Sequence, residues 1–213
     1  MSQAARPLVI DVVSDVVCPW CYIGKRRLEA AVAGLPELDV TVRWHPFQLD
    51  PTIPPGGLDR VQYMNNKFGA ERYAEISARI AEVGNEVGIP FAFDQIKRSP
   101  NTLDAHRIIR WAEAAGVQGA VKEALMQAFF VDARDIGNVA VLADVAAAAG
   151  MDRAVVARLL AGDADKDAVR DEIESARKMG VNGVPFFIFA QKLGVSGAQA
   201  VEVLTGAMRE AAG

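Results

Sequence analysis

Only two of the 213 residues are cysteine and only two are histidine, and the chain holds no long apolar run. A membrane-spanning helix needs ~18 or more unbroken apolar residues. The best run here, residues 139–149, is split by Asp144, so no membrane association is expected. A secretory leader is not expected either. Residues 1–7 pass straight into a short apolar segment interrupted by Asp11, without a basic start and an apolar core of roughly 7–15 residues. A basic excess is also missing. Twenty-three Lys and Arg face 27 Asp and Glu for a net charge of −4, with no basic stripe, which argues against nucleic-acid binding. There is no low-complexity tract and no repeat. What remains is a chain 51% hydrophobic and 23% charged, able to bury a core. These features predict a soluble, cytoplasmic protein that forms one large domain or one domain with an insertion.

The cysteines, Cys18 and Cys21, are separated by two residues. A disulfide scaffold joins distant segments in several pairs, so stapling is excluded. Three readings of the spacing stay open. The pair are two buried thiols that happen to be close, half of a zinc site, or a redox dithiol. Zinc needs four ligands, and His45 and His106 lie far apart in sequence, outside the usual ligand spacing. The flanking sequence favours the dithiol. Val9 to Val13 reads as a buried strand rich in β-branched residues, and Ser14 to Val17 as the loop leaving it. A helical pattern starts at Pro19, which suits a first turn where a missing N–H costs nothing, and Gly34 closes it. Cys18 then occupies the N-cap. There, free backbone N–H groups and the helix dipole favour thiolate over thiol. Cys21, one turn deeper, is placed to resolve a mixed disulfide formed at Cys18.

A second strand is predicted over residues 39–47, followed by the Pro- and Gly-rich stretch 51–57. From residue 58 to about 180 the period is helical, with candidate C-terminal glycines at Gly69, Gly88, Gly116, Gly150, Gly162 and Gly180. Asn101, Asn138, Asp152 and Asp165 are candidate N-caps. The short apolar patch 89–93 interrupts the helices and is too brief to classify. Strand signals return over 184–189 and 193–195, and a last helix is expected over 198–211. The order is β-α-β, a long helical block, then β-β-α. The two ends, residues 1–57 and 181–213, are expected to share one mixed sheet. Residues 58–162 form an all-helical insertion, with a helix over 163–180 packing back on the sheet domain. In that helix acidic residues lead and basic ones trail, which suits a solvated helix in its own dipole.

The segment Ser14-Asp15-Val16-Val17-Cys18-Pro19-Trp20-Cys21-Tyr22-Ile23-Gly24-Lys25, with Gly183-Val184-Pro185-Phe186-Phe187, resembles the DsbA-like thioredoxin-fold family, most closely its FrnE-type cytoplasmic oxidoreductases. The resemblance runs over essentially the whole chain. It implies an α/β thioredoxin-like mixed sheet with a large helical insertion, with Cys18 as nucleophile and Cys21 as resolving cysteine. It also implies a cis bond before Pro185, which would present the Val184 backbone for strand-like pairing with substrate. The run from Ser99 to Arg107 is similar to a segment lying over the active site in this superfamily, which makes Asn101 and His106 candidate substrate contacts; a cap and a structural histidine explain them nearly as well. Pro19 and Trp20 complete the candidate set. Trp20 is expected either exposed beside the sulfurs or packed at the helix start, and His45 is expected to be structural.

The expected function is thiol–disulfide exchange or disulfide isomerisation through a mixed disulfide, without a tightly bound cofactor. Glutathione or another thiol is the expected redox partner, the substrate is a protein or small molecule carrying a thiol or disulfide, and a homodimer is compatible. Two other classes compete. A related branch, the 2-hydroxychromene-2-carboxylate isomerases and kappa-class glutathione transferases, has serine where Cys18 stands and activates the thiol of glutathione. A redox-switched chaperone or binding module is the third reading.

Overall fold

The computed structural model describes residues 5–213. Its four-stranded sheet is built from both ends of the chain, in the order β2-β1-β5-β6. Strand β1 (Arg6–Ser14) is parallel to β2 (Leu38–Pro46) and antiparallel to β5 (Phe186–Phe189), which pairs in turn with β6 (Leu193–Ser196). Register follows from side-chain alternation. Leu8, Ile10 and Val12 of β1 enter the main core with Phe187 and Phe189 of β5, whereas Val13 joins Phe47 and Val181 in a second cluster flanked by Phe186 and Ile188. A period-2 strand buried on both faces reads as a continuous apolar run. Asp11 is the exception. Burial works to raise its carboxyl, but hydrogen bonds from His45 Nε2 (2.8 Å) and Arg43 Nε (2.8 Å) outweigh that and hold it lowered.

Helix α1 (Pro19–Ala33) and the last helix, α9 (Val201–Ala212), pack together on one face of the sheet. Between β2 and β5 come α2 (Arg60–Phe68), α3 (Ala70–Glu86), α4 (Leu103–Ala114), α5 (Gln118–Phe130), α6 (Val139–Ala148), α7 (Arg153–Leu160) and α8 (Lys166–Lys178). Helix α8 packs on both α4 and β2, and its Ala176 belongs to the second core cluster. The helical block is not purely helical. Strands β3 (Leu58–Asp59) and β4 (Arg98–Ser99) form a short antiparallel ladder that joins the start of the block to the segment between α3 and α4.

Five of the six candidate glycines sit at helix C-termini with φ between 69° and 100°; Gly162 is outside this set. Asn138 and Asp152 cap α6 and α7 through their side chains. One cap expectation is corrected. Thr102 holds the N-cap of α4, and Asn101 accepts from Leu103 N (2.9 Å) from one position earlier. Asp165 does occupy the N-cap of α8, but with φ 59° it turns its carboxylate to Trp111 Nε1 (2.8 Å) and Arg110 rather than to its own helix. Residues 89–93 form no strand. Phe91 and Phe93 stack at 4.8 Å and meet Phe130 edge-on, so this patch is an aromatic plug. The last helix begins at Val201, three residues later than the apolar periodicity indicates.

Candidate active site

The site is built where β1 ends and α1 begins. Asp15 carbonyl accepts from Cys18 N (3.3 Å), closing the turn, and Cys18 takes the extended N-cap conformation (φ −90°, ψ 112°) with Pro19 following. Cys18 carbonyl receives Cys21 N at 3.0 Å and Tyr22 N at 3.3 Å, the first turn of α1. Opposite this turn the Val184–Pro185 peptide is cis, and the Cys18 thiol donates to Val184 carbonyl over 3.5 Å. Helix α1 reaches this close because Gly24 carries no side chain: a Cβ there would stand 3.0 Å from Pro185 Cγ and 3.1 Å from Phe187 Cζ.

Both cysteines are free thiols, Cys18 4% and Cys21 1% exposed. Burial, reinforced by the adjacent Cys18, pushes the Cys21 thiol well up, so Cys21 holds its proton tightly. Beneath the pair lies a cluster of buried polar groups. Asp15 receives His106 Nε2 at 3.2 Å and Leu49 N at 2.9 Å. Lys122 of α5 is 1% exposed, with its ammonium 5.6 Å from the Trp44 ring. Burial pushes its pKa down to about 8, against the pull of Cys21, Asp15 and Cys18. Among the described residues no group of three His, Cys, Asp or Glu side chains is placed to hold a metal ion.

A cavity of about 400 Å³ opens beside Cys18. Cys18, Pro19, Trp20 and Val184 line it from the sheet domain, and Tyr63, Phe68, Tyr73 and Ile80 of α2 and α3 line it from the insertion. Trp20 is half-buried against the core rather than fully exposed. Pro185 packs behind the cavity against Gly24. Two candidate contacts are placed differently from the expectation. Asn101 spends its amide on Ile53 carbonyl (2.6 Å) and its oxygen on Gln48 and Leu103, so it fixes the rim loop. His106, 2% exposed, stands behind Asp15 and reaches the site only through that carboxylate. His45 pairs with Asp11 away from the cysteines. Sequence reading passed over Asp15, Lys122 and Arg60 as site residues. Asp15, three residues before Cys18 at the end of a strand, carried a weak local signal; Lys122 and Arg60 lie on insertion helices, where only tertiary contacts reveal them.

A thiol at a helix N-terminus, a second thiol one turn deeper and a cis-proline loop facing both define a thioredoxin-fold dithiol protein. The chain belongs to the DSBA-like thioredoxin domain family, which it matches over residues 9–209. It is 31% identical to a probable DsbA oxidoreductase of Streptomyces coelicolor, with a TM-score of 0.89 over 96% of this chain and 89% of the other. It is 27% identical to the Bacillus subtilis protein YwbO over 94% of this chain and 96% of that one. The cytosolic disulfide reductase DsbM of Pseudomonas aeruginosa, solved with GSH, shares the fold at a TM-score of 0.62 and 21% identity, over 96% of this chain and 95% of the other. No described helix is long and apolar enough to cross a membrane.

Proposed function

We propose that the protein exchanges disulfides with its substrates through the Cys18–Cys21 pair. In the oxidising direction a substrate thiolate attacks Cys18 Sγ in the Cys18–Cys21 disulfide. A mixed disulfide forms at Cys18, and Cys21 leaves as a thiolate and takes up a proton, which its burial favours. A second substrate thiolate then attacks the substrate sulfur of the mixed disulfide, and Cys18 leaves. Reduction runs the same steps backwards, with two electrons passing from the dithiol to the substrate disulfide. In reshuffling the Cys18 thiolate of the reduced pair attacks a substrate disulfide and frees one substrate thiolate, and a different substrate thiolate then attacks the substrate sulfur of the mixed disulfide and releases Cys18.

The observation that carries this reading is the position of Cys18: at the N-cap of α1, against the Val184 carbonyl, on the wall of an open cavity with Cys21 directly behind. A substrate strand can pair with the backbone beside Val184 while its sulfur meets Cys18. Cys18, Cys21, Pro19, Trp20, Val184 and Pro185 make up the working site, and Asp15 and His106 support it from below. Glutathione resets the pair, as its thiol when the protein acts as a reductant and as its disulfide when it acts as an oxidant, and the cytoplasm is the compartment in which it works.

The test is an equilibrium titration in glutathione redox buffers, with free thiols trapped and both cysteines read by mass. The expected result is one two-electron transition in which both thiols vanish together into an internal disulfide. A midpoint near about −120 mV marks an oxidant and one near about −270 mV a reductant. Persistent glutathione on Cys18 with Cys21 free overturns the dithiol mechanism, as does a pair that does not react.

A further inference from the structure

The cavity beside Cys18 is apolar for most of its wall but contains four charged side chains: Asp15, Asp50, Arg60 and Lys67. Three are already satisfied. Asp15 is held by His106 and Leu49 N. Asp50 and Lys67 are joined through the Tyr63 hydroxyl, which donates to Asp50 at 2.9 Å and accepts from Lys67 at 2.9 Å. Arg60 is different. It is 8% exposed, no carboxylate pairs with it among the described residues, its Nε is buried without a partner, and its side-chain hydrogen bonding is one long 3.4 Å contact from Nη1 to Ser99 Oγ. Its guanidinium lies over the faces of Tyr73 and Phe129, each 5.8 Å away. The Tyr73 hydroxyl, on the same wall, is also buried and unpartnered.

A buried guanidinium without an anion is costly, and natural sites pair such groups. Arginine offers a planar edge of donors that matches a carboxylate with two parallel bonds, and a tyrosine hydroxyl supplies a third. We infer that the cavity beside Cys18 binds a small carboxylic acid with an apolar, aromatic-sized body, its carboxylate seated on Arg60 and Tyr73. The volume, about 400 Å³, lies within the range of small-molecule sites. Tyr63, Phe68 and Ile80 enclose the body, and Trp20 and Val184 bring its far end to Cys18. The inference deepens the dithiol reading and rests on it only for the reactive end: a thiol or disulfide on such a molecule would lie at Cys18.

The test uses unreactive probes, so it does not depend on exchange chemistry. The full-length reduced protein is titrated calorimetrically with 2-naphthoate and with its uncharged isostere 2-naphthamide. Naphthoate is expected to bind about tenfold or more tightly, the value of hydrogen bonds to a desolvated charge. Arg60→Met should erase the preference, Arg60→Lys should keep part of it, and Tyr73→Phe should reduce it severalfold. Arg60→Met should leave the urea midpoint of the unliganded protein unchanged or raised, because it removes an unpaired buried charge. Equal affinity for the two probes in the wild type, binding of neither at millimolar concentration, or a preference that survives Arg60→Met overturns the inference. Each of these outcomes can occur while the glutathione titration still returns a functional dithiol.

Discussion

Lys122 shows how one side chain can be held against its own solvation. The folded protein lets its ammonium go at about pH 8, whereas an unfolded chain keeps it to about 10.5. Between those values the unfolded state binds more protons, so this group makes stability rise with pH; below pH 8 its burial is a standing cost. Lys122→Met keeps the volume and removes the charge. The variant should be more stable than wild type at pH 7, by up to about 3 kcal/mol, with the gap closing as pH approaches 10. Urea midpoints of both proteins from pH 7 to 10 check this, measured with Cys18 and Cys21 replaced by serine in each, because those thiols are coupled to Lys122. A gap that does not change with pH would show that the ammonium is hydrated in the folded state.

At the scale of elements, the approach of α1 to the Val184–Pro185 turn decides the site. Alanine at Gly24 improves helix propensity by about 1 kcal/mol, but its Cβ meets Pro185 and Phe187 at 3.0 and 3.1 Å. Overpacking of that kind costs about 1–3 kcal/mol. Gly24→Ala should therefore lose about 1 kcal/mol net in urea unfolding and slow thiol exchange at Cys18 severalfold, because Val184 moves with Pro185. Gly34→Ala is the control, since its nearest Cβ contact is 3.5 Å and it lies at the far end of α1; its exchange rate should match wild type. The elements themselves were largely legible. A β-branched run, a proline at the first helical position and glycines at helix ends each act through local backbone sterics, and these placed β1, α1 and five helix ends. The β3–β4 ladder and the aromatic plug around Phe91 were not legible. A two-residue strand has no period, and stacked phenylalanines are defined by partners some forty residues away, at Phe130.

For the whole molecule, the insertion and the sheet domain share one continuous core, and Glu123 of α5 is the polar joint between them. It accepts from the Tyr22 hydroxyl at 2.7 Å and pairs with Lys25 at 2.6 Å and with Arg26, all on α1. Burial works to raise its carboxyl, and the bonds from Lys25 and Tyr22 outweigh it and hold it lowered. This contribution is therefore present above the ordinary value of 4.5 and is lost as pH falls through the lowered one. Glu123→Gln leaves Lys25, 5% exposed, without that partner. It should destabilise the protein by about 2–3 kcal/mol at pH 7, and the difference from wild type should shrink on acidification. Far-UV dichroism and tryptophan fluorescence should report one coincident transition in both proteins.

The sequence by itself determined the absence of a disulfide scaffold, the strand–loop–helix that presents Cys18, the order of the four main strands around a largely helical block, and the family resemblance carried by Cys18-Pro19-Trp20-Cys21 and Val184-Pro185. Each depends on neighbours within a turn or two, so local stereochemistry was enough. Only the tertiary structure decided which charges stand under and beside the cysteines. It moved His106 behind Asp15, gave Asn101 to the rim loop, buried Lys122 and left Arg60 unpaired on the cavity wall. Desolvation and pairing depend on groups brought together from tens of residues apart, and no local pattern records them.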